Sequence, residues 1–267
     1  MLPLSCRGCS VLTIAQGDRF VGALTALGWG LFGGSALLVG AAIGWFARPS
    51  PRIVAAVMAF GSGVLISAIA FDLMDDAAAK GGIAASATGF MVGAMAFTLG
   101  ALYLARRDAG GRKRSSASAA APATAAMAIA LGSVFDGIPE SMVIGLSLLD
   151  GEGVSLPVVI AIFLSNVPEG MSSSAGMKAS GLSRRFVFSL WSAIAILCGI
   201  GAVAGFHLFA GAPPHYVAVA QGVAAGAMLA MIADTMIPEA FDTAHDFAGL
   251  ITAAGFVCAF MLSHAFG

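Results

Sequence analysis

The chain has 267 residues, 59% of them hydrophobic and only 10% charged, with a mean hydropathy of +0.94. That balance excludes a soluble globular domain and points to an integral membrane protein. The net charge of −1 carries little information, whereas the placement of the charges along the chain carries a great deal.

Apolar windows long enough to cross a hydrocarbon core of roughly 30 Å fall at about 20–47, 53–74, 82–105, 122–149, 155–177, 186–210, 216–238 and 247–265. These windows predict an all-α integral membrane fold of eight transmembrane helices, a single polytopic domain spanning residues 1–267. Helical periodicity, with no ten-residue alternating strands, argues against a β-barrel. The first apolar run is too long, and lacks the basic flank, for a cleaved signal peptide.

Residues 1–19 form a short amino-terminal segment carrying CRGC, Cys6 to Cys9, a lone CxxC and therefore a weak metal or redox signal. The first span contains Gly30-x-x-x-Gly34 and Gly40-x-x-x-Gly44, small-residue pairs that let membrane helices approach closely. The second span ends in Asp72, Asp75 and Asp76. After the third comes a basic, Ser/Ala-rich stretch, 106–121, read as a cytoplasmic loop.

An extracytoplasmic amino terminus places Arg48, Arg52, Arg106, Arg107, Arg112, Lys113, Arg114, Lys178, Arg184 and Arg185 inside. Only Arg7, Arg19 and Lys80 then lie outside. This satisfies the positive-inside rule, so both termini are expected on the extracytoplasmic side of a multi-pass protein of the cell membrane.

The fourth and fifth spans each contain carboxylates beside a proline at mid-depth: FDGIPES, Phe135 to Ser141, and SNVPEG, Ser165 to Gly170. Asp136 and Glu140 share one helical face, as do Ser165, Asn166 and Glu169 on the next helix. An unpaired charge at that depth costs at least about 2.5–3.5 kcal/mol, so these acids must face one another, water or a cation. Prolines 139 and 168 each free a carbonyl four residues earlier, Phe135 and Leu164, as a further oxygen ligand or a kink. An oxygen-rich set of Asp136, Glu140, Ser165, Asn166 and Glu169 is what a divalent cation needs. The bland alternative, acids that merely hold two helices together, stays open.

The seventh span repeats the second: GVLISAIAFDLMDDA, Gly63 to Ala77, aligns without gaps on GAMLAMIADTMIPEA, Gly226 to Ala240. The third and eighth agree more loosely, TGFMVGAMAF from Thr88 against AGFVCAFMLS from Ala254. Spans 1–3 and 6–8 are therefore candidates for an inverted repeat flanking the fourth and fifth. Asp72 and Asp76 at one mouth, and Asp234 and Glu239 near the other, are candidate gate residues. Glu239, Asp242 and Asp246 share a face, with His245 beside them, as a candidate exit.

Eight spans with external termini, a basic loop between the third and fourth, and consecutive helices bearing DGIPES and SNVPEG resemble the ZIP (Zrt/Irt-like protein) family of divalent metal transporters. The IPEA of the seventh helix extends the resemblance over nearly the whole chain from about Phe20. It implies uptake of a metal ion into the cytoplasm through a midplane site, by an elevator-like movement of helices 1, 4, 5 and 6 against the others. The family's usual HNxPEG is altered here: Asp136-Gly137 stands for His-Asn in the fourth helix and Ser165 for His in the fifth. The sixth helix has Ile196-Leu197 where many relatives carry Glu-Pro, so one metal at a time is expected.

Loss of imidazole shifts the ligands toward all-oxygen, which on softness favours Mn²⁺, Fe²⁺ or Mg²⁺ over Zn²⁺, with zinc retained as an alternative. No tightly bound cofactor is expected, the divalent metal (Zn, Mn or Fe) being the transported substrate. The expected partners are that metal and the lipid bilayer, with a homodimer as an open alternative and no nucleic acid. With no HExxH and no GxSxG, an enzyme is not expected. The competing function is a non-transporting or metal-sensing relative.

Overall fold

A computed structural model describes residues 7–47, 49–114, 122–150 and 153–266, with the side chains of 7–18, 104–114, 122–131, 135, 136, 150, 243–245 and 266 outside the description. The regular structure of the described residues is helical throughout. The α-helices are α1 (Arg7–Ala42), α2 (Pro51–Ser67), α3 (Met74–Gly81), α4 (Ile83–Arg114), α5 (Pro122–Ser147), α6 (Leu156–Ala179), α7 (Arg184–Phe209), α8 (Pro214–Met231), α9 (Ile237–Ala244) and α10 (Ala248–Phe266).

Seven helical stretches among the described residues are long and apolar enough to cross a membrane: Arg19–Ala47, Pro51–Gly81, Ile83–Tyr103, Leu156–Ala179, Arg184–Phe209, Pro214–Asp242 and Ala248–Ala265. The chain is thus a multi-pass helical membrane protein. The remaining expected span, 122–149, coincides with the 26-residue α5, much of whose side-chain composition lies outside the described residues.

Local chemistry sets the ends of these helices. Ser50 and Ser183 cap α2 and α7 by accepting from the amides of Ile53 and Phe186, and Pro51 and Pro214 sit in the first turns of α2 and α8, where a missing N–H costs nothing. α5 and α6 run without a break through Pro139 and Pro168. Two boundaries differ from expectation. α1 starts at Arg7 and α4 runs on to Arg114, so parts of the segments read as a short terminus and a loop are helical extensions. On either side of Gly110 and Gly111, the basic segment 106–114 is mostly Arg and Lys, which support helix in water as well as in lipid.

The second and seventh spans are each divided into three. α2 passes through a π-helical segment, Ala68–Leu73, into the short α3, and α8 passes through Ile232–Met236 into α9. One constant shift in numbering carries Pro51 onto Pro214, Met74 onto Ile237 and Gly81 onto Ala244. It is the same shift that aligns Gly63–Ala77 with Gly226–Ala240. Each π segment packs against the opposite long helix, Ala68–Leu73 on α8 and Ile232–Met236 on α2.

α2 packs against α10, and α8 against α4. Close backbone approaches at glycine set the register of both pairs. Gly63 lies on the Thr252 carbonyl and Gly226 on that of Phe90, while Gly255 lies on the Phe60 carbonyl and Gly93 on that of Val223. These contacts match Phe90 with Thr252 and Gly93 with Gly255. The looser alignment of Thr88–Phe97 with Ala254–Ser263 is therefore corrected by about one helical turn. Such a slip keeps the same face of a Gly/Ala-rich helix in play, which is why composition did not detect it.

The other long helices form a second group in which α1 packs on α6 and α7, and α5 on α7. The two expected glycine pairs serve this group. Gly30 and Gly34 press on Cys198–Ala202 and Ala195 of α7, and Gly40 and Gly44 press on Val167 and Met171 of α6. Contacts of α2 with α6 and of α5 with α8 join the groups, and the sites lie along that seam.

Candidate functional site

α5 and α6 run side by side in opposite directions between two cavities. The first, about 290 Å³, is lined by Gly132, Ser133 and Glu140 from α5, Ser165, Glu169, Ser172 and Ser173 from α6, Met58 from α2, and Met231, Thr235, Met236 and Glu239 from the α8–α9 span. Glu140 and Ser165 are buried, at 2% and 3% exposure, while Glu169 is half-buried and Glu239 exposed. Three carboxylates from three different helices thus surround one space.

Hydroxyl groups supply the donors in this space. Ser172 donates to Glu239 Oε1 at 2.7 Å, Ser133 hydrogen-bonds Glu169, and Ser165 donates back to its own helix at the Ile162 carbonyl, 2.9 Å. Turning its proton inward along the helix leaves the Ser165 oxygen as an acceptor for whatever enters. Glu169 and Glu239 in one cavity wall make the space attractive to a cation.

The sequence-predicted ligands are only partly gathered here. Glu140, Ser165 and Glu169 line the cavity. Asn166, equally buried, instead donates from Nδ2 to the Gly33 carbonyl of α1 at 3.3 Å, and is not part of the cavity wall. The Leu164 carbonyl freed by Pro168 packs against Gly61 of α2. Asp136 lies on α5 one turn before Glu140, with its side chain outside the described residues. Among the described residues, no three His, Cys, Asp or Glu side chains are grouped to hold one metal ion.

The second cavity, about 580 Å³, lies at the other ends of α5 and α6. It is lined by Asp72, Asp75 and Asp76, by Ser147, by 153–158, and by Gln221 and Ser263. Between the two cavities the core is apolar: Leu65 and Ile69 of the second span, Val143 of α5, Ile162 of α6 and Met228 of α8 belong to one buried cluster. From Ser147 to Glu140 is about 10 Å along α5 at 1.5 Å per residue, and Val143 stands between them.

The two cavities are built from corresponding positions. The constant shift in numbering that relates the divided spans carries Asp72, Leu73 and Asp76 onto Thr235, Met236 and Glu239, and Met58 onto Gln221. The first three and Gln221 line the larger cavity, and the others line the smaller. Of the candidate gates, Asp72, Asp76 and Glu239 are therefore in cavity walls. Asp234 and Asp242 are exposed and line neither, and the side chain of His245 lies outside the described residues.

Sequence reasoning named Ser165 but missed Ser133, Ser172 and Ser173 and the methionines. Ser165, Glu169 and Ser172 are spaced i, i+4, i+7, and Ser133, Asp136 and Glu140 are spaced i, i+3, i+7, so a polar stripe on each helix was available as a signal. Met58, Met231 and Met236 gave none, because apolar residues in a membrane helix look alike whether they face lipid or a site. No protein-family model matches the chain, and no curated protein matches it.

Proposed function

We propose that the chain is a transporter of the ZIP type that moves a divalent metal cation of the zinc, manganese and iron class into the cytoplasm, without enzymatic activity. The observation that carries the reading is the smaller cavity, where Glu140, Glu169 and Glu239 from three helices meet hydroxyl oxygens within the membrane-spanning bundle. Carboxylates held at that depth are costly unless they serve a cation or proton.

In this reading α5 is the fourth of eight spans, both termini are extracytoplasmic, and spans 1–3 and 6–8 form an inverted repeat. The matching three-part division of the second and seventh spans supports the repeat, and so do the paired contacts of Gly63 with Thr252 and Gly226 with Phe90. Inverted repeats supply two related conformations from one sequence, which is what alternating access requires. The group α1, α5, α6 and α7 is the set that the family resemblance assigns to the moving part. The smaller cavity then opens toward the cytoplasm and the larger toward the outside, and the apolar cluster around Val143 and Ile162 separates them.

The test is uptake of Mn²⁺ and Zn²⁺ into vesicles reconstituted with the purified chain, against vesicles carrying the Glu140→Gln variant. Metal uptake that depends on Glu140 is expected. Saturable metal binding with no flux in either protein would favour a sensor instead.

A further inference from the structure

The larger cavity carries groups that the midplane reading does not use. Asp76 Oδ2 accepts from two donors at once, Lys80 Nζ at 2.6 Å and Gln221 Nε2 at 2.7 Å. Asp72 Oδ1 accepts from Ser263 of α10 at 2.8 Å. Gln221 is 2% exposed, and its Oε1 has no hydrogen-bond partner among the described residues. A buried amide oxygen left without a donor is uncommon and calls for an explanation. The amide cannot simply be turned over, because its oxygen would then face the Asp76 carboxylate.

We propose that the larger cavity is a second cation site, in which a partly hydrated, oxygen-preferring divalent cation is held by Asp72, Asp76 and the Gln221 amide oxygen, with Lys80 standing in for the cation when the site is empty. Three features of the cavity support such a site. Three aspartates line the cavity, and among the described residues one ammonium, that of Lys80, is paired with them, a surplus of negative charge that matches a divalent ion. The ligands on offer are all oxygens, which select hard cations over soft ones.

The third feature is the orphaned Gln221 oxygen, an acceptor with nothing yet to accept from. Rotation about its soft terminal torsion presents that oxygen to an ion on the Asp76 carboxylate. No three acidic side chains converge on one point among the described residues. The ion therefore keeps several waters, as hard divalent cations commonly do when one or two carboxylates hold them, and about 580 Å³ leaves room for these. Lys80 and Gln221 both bind the same oxygen of Asp76, so the other oxygen of that carboxylate is the one not engaged by them.

This site is separate from Glu140 and Glu169 and does not depend on transport. The test uses the full chain in detergent with Mn²⁺ alone as the probe, its binding read from loss of the free-ion paramagnetic resonance signal. Glu140→Gln plus Glu169→Gln serves as the background, so that the midplane cavity does not contribute. One bound Mn²⁺ per chain is expected to remain, displaced by Ca²⁺ or Mg²⁺ at about millimolar concentration.

Adding Asp76→Asn weakens it about tenfold, and Lys80→Met tightens it severalfold by removing the competing ammonium. Gln221→Glu, which adds a charged oxygen at the orphaned position, also tightens it. Because these last two are gains, poor folding cannot imitate them. Absence of bound Mn²⁺ in the background protein overturns the site. So does an affinity unchanged by both Asp76→Asn and Gln221→Glu, and failure of both Ca²⁺ and Mg²⁺ to compete overturns the hard-cation assignment. Retained binding in a protein without flux removes the transport reading and leaves this site standing.

Discussion

Ser172 on α6 donates a hydrogen bond of 2.7 Å to Glu239 on α9, joining the helix that carries Glu169 to the divided span across the cavity. The bond bridges the two helix groups at the end of the molecule where the smaller cavity lies, so it favours the arrangement in which that cavity exists. A hydrogen bond to a carboxylate at this partly exposed position contributes about 1 kcal/mol, or about fivefold in a two-state balance. With Thr235→Cys as a reporter in the cavity wall, Ser172→Ala is expected to slow its modification by a small thiol reagent by up to about fivefold, whereas Ser172→Thr keeps the hydroxyl and the rate. Equal rates in all three proteins would show that the bond does not bias the conformation.

Under the proposed function, Glu140→Gln and Glu169→Gln are each expected to cut metal uptake by at least about tenfold, since each removes a charged oxygen from the space proposed to replace a cation's water shell. Asp242→Asn is the control, because Asp242 is exposed and outside the cavity wall. The comparison is made at matched amounts of protein in the vesicle membrane. Uptake by Glu169→Gln within a factor of about two of the parent would make that carboxylate structural.

Gly63 and Gly226 occupy corresponding positions, and a Cβ on either would fall on a backbone carbonyl, that of Thr252 or of Phe90. Backbone cannot move aside as a flexible side chain can. Gly63→Val and Gly226→Val should therefore each destabilise the bundle by about 1–3 kcal/mol or more, seen as a lower melting temperature in detergent. Gly28→Ala is the contrast, since nothing lies within 4 Å of the added carbon, and it should leave the melting temperature unchanged or raise it. If all three behave alike, the close approaches do not set the packing.

The proposed orientation rests on basic residues and not on the fold, so it has its own test. With Cys6, Cys9, Cys198 and Cys258 replaced, His215→Cys at the start of α8 should react with an impermeant thiol reagent in intact cells, and Ser180→Cys after α6 should not. Both positions are exposed. The reverse pattern would turn the protein over and exchange the roles of the two cavities.

The sequence made the divided spans legible as a pair, since Gly63–Ala77 and Gly226–Ala240 align without gaps. It could not show that both are interrupted by π-helical turns, because no residue type marks such a turn as proline marks a kink. The alignment of α4 with α10 went astray by a turn because Gly and Ala at every third or fourth position fit several registers equally well. At the site, Glu140 and Glu169 were conspicuous because charge is rare in a membrane helix. Gln221 was not: an uncharged amide in the seventh span attracts attention only once Asp76 is seen beside it.

Asp136 offers the sharpest test of selectivity. It stands on α5 one turn before Glu140, where the family that the sequence resembles has a histidine, so Asp136→His exchanges a hard anionic oxygen for a borderline nitrogen. The nitrogen favours zinc relative to manganese, and the lost charge weakens the pull on every divalent ion. Met58, Met231 and Met236 already put thioether sulfur in the same wall, so the expected all-oxygen ligand set has soft neighbours. Thioether sulfur is a weak ligand for zinc and manganese alike, so these methionines are expected to act mainly as apolar wall. Leucine at all three should leave the zinc-to-manganese uptake ratio nearly unchanged, whereas Asp136→His should raise it and lower total uptake. The measurement is competition between the two metals at equal free concentrations in reconstituted vesicles. A ratio that moves with the methionines and not with Asp136 would place the selecting contact on the α2 and α8–α9 side of the cavity, away from α5.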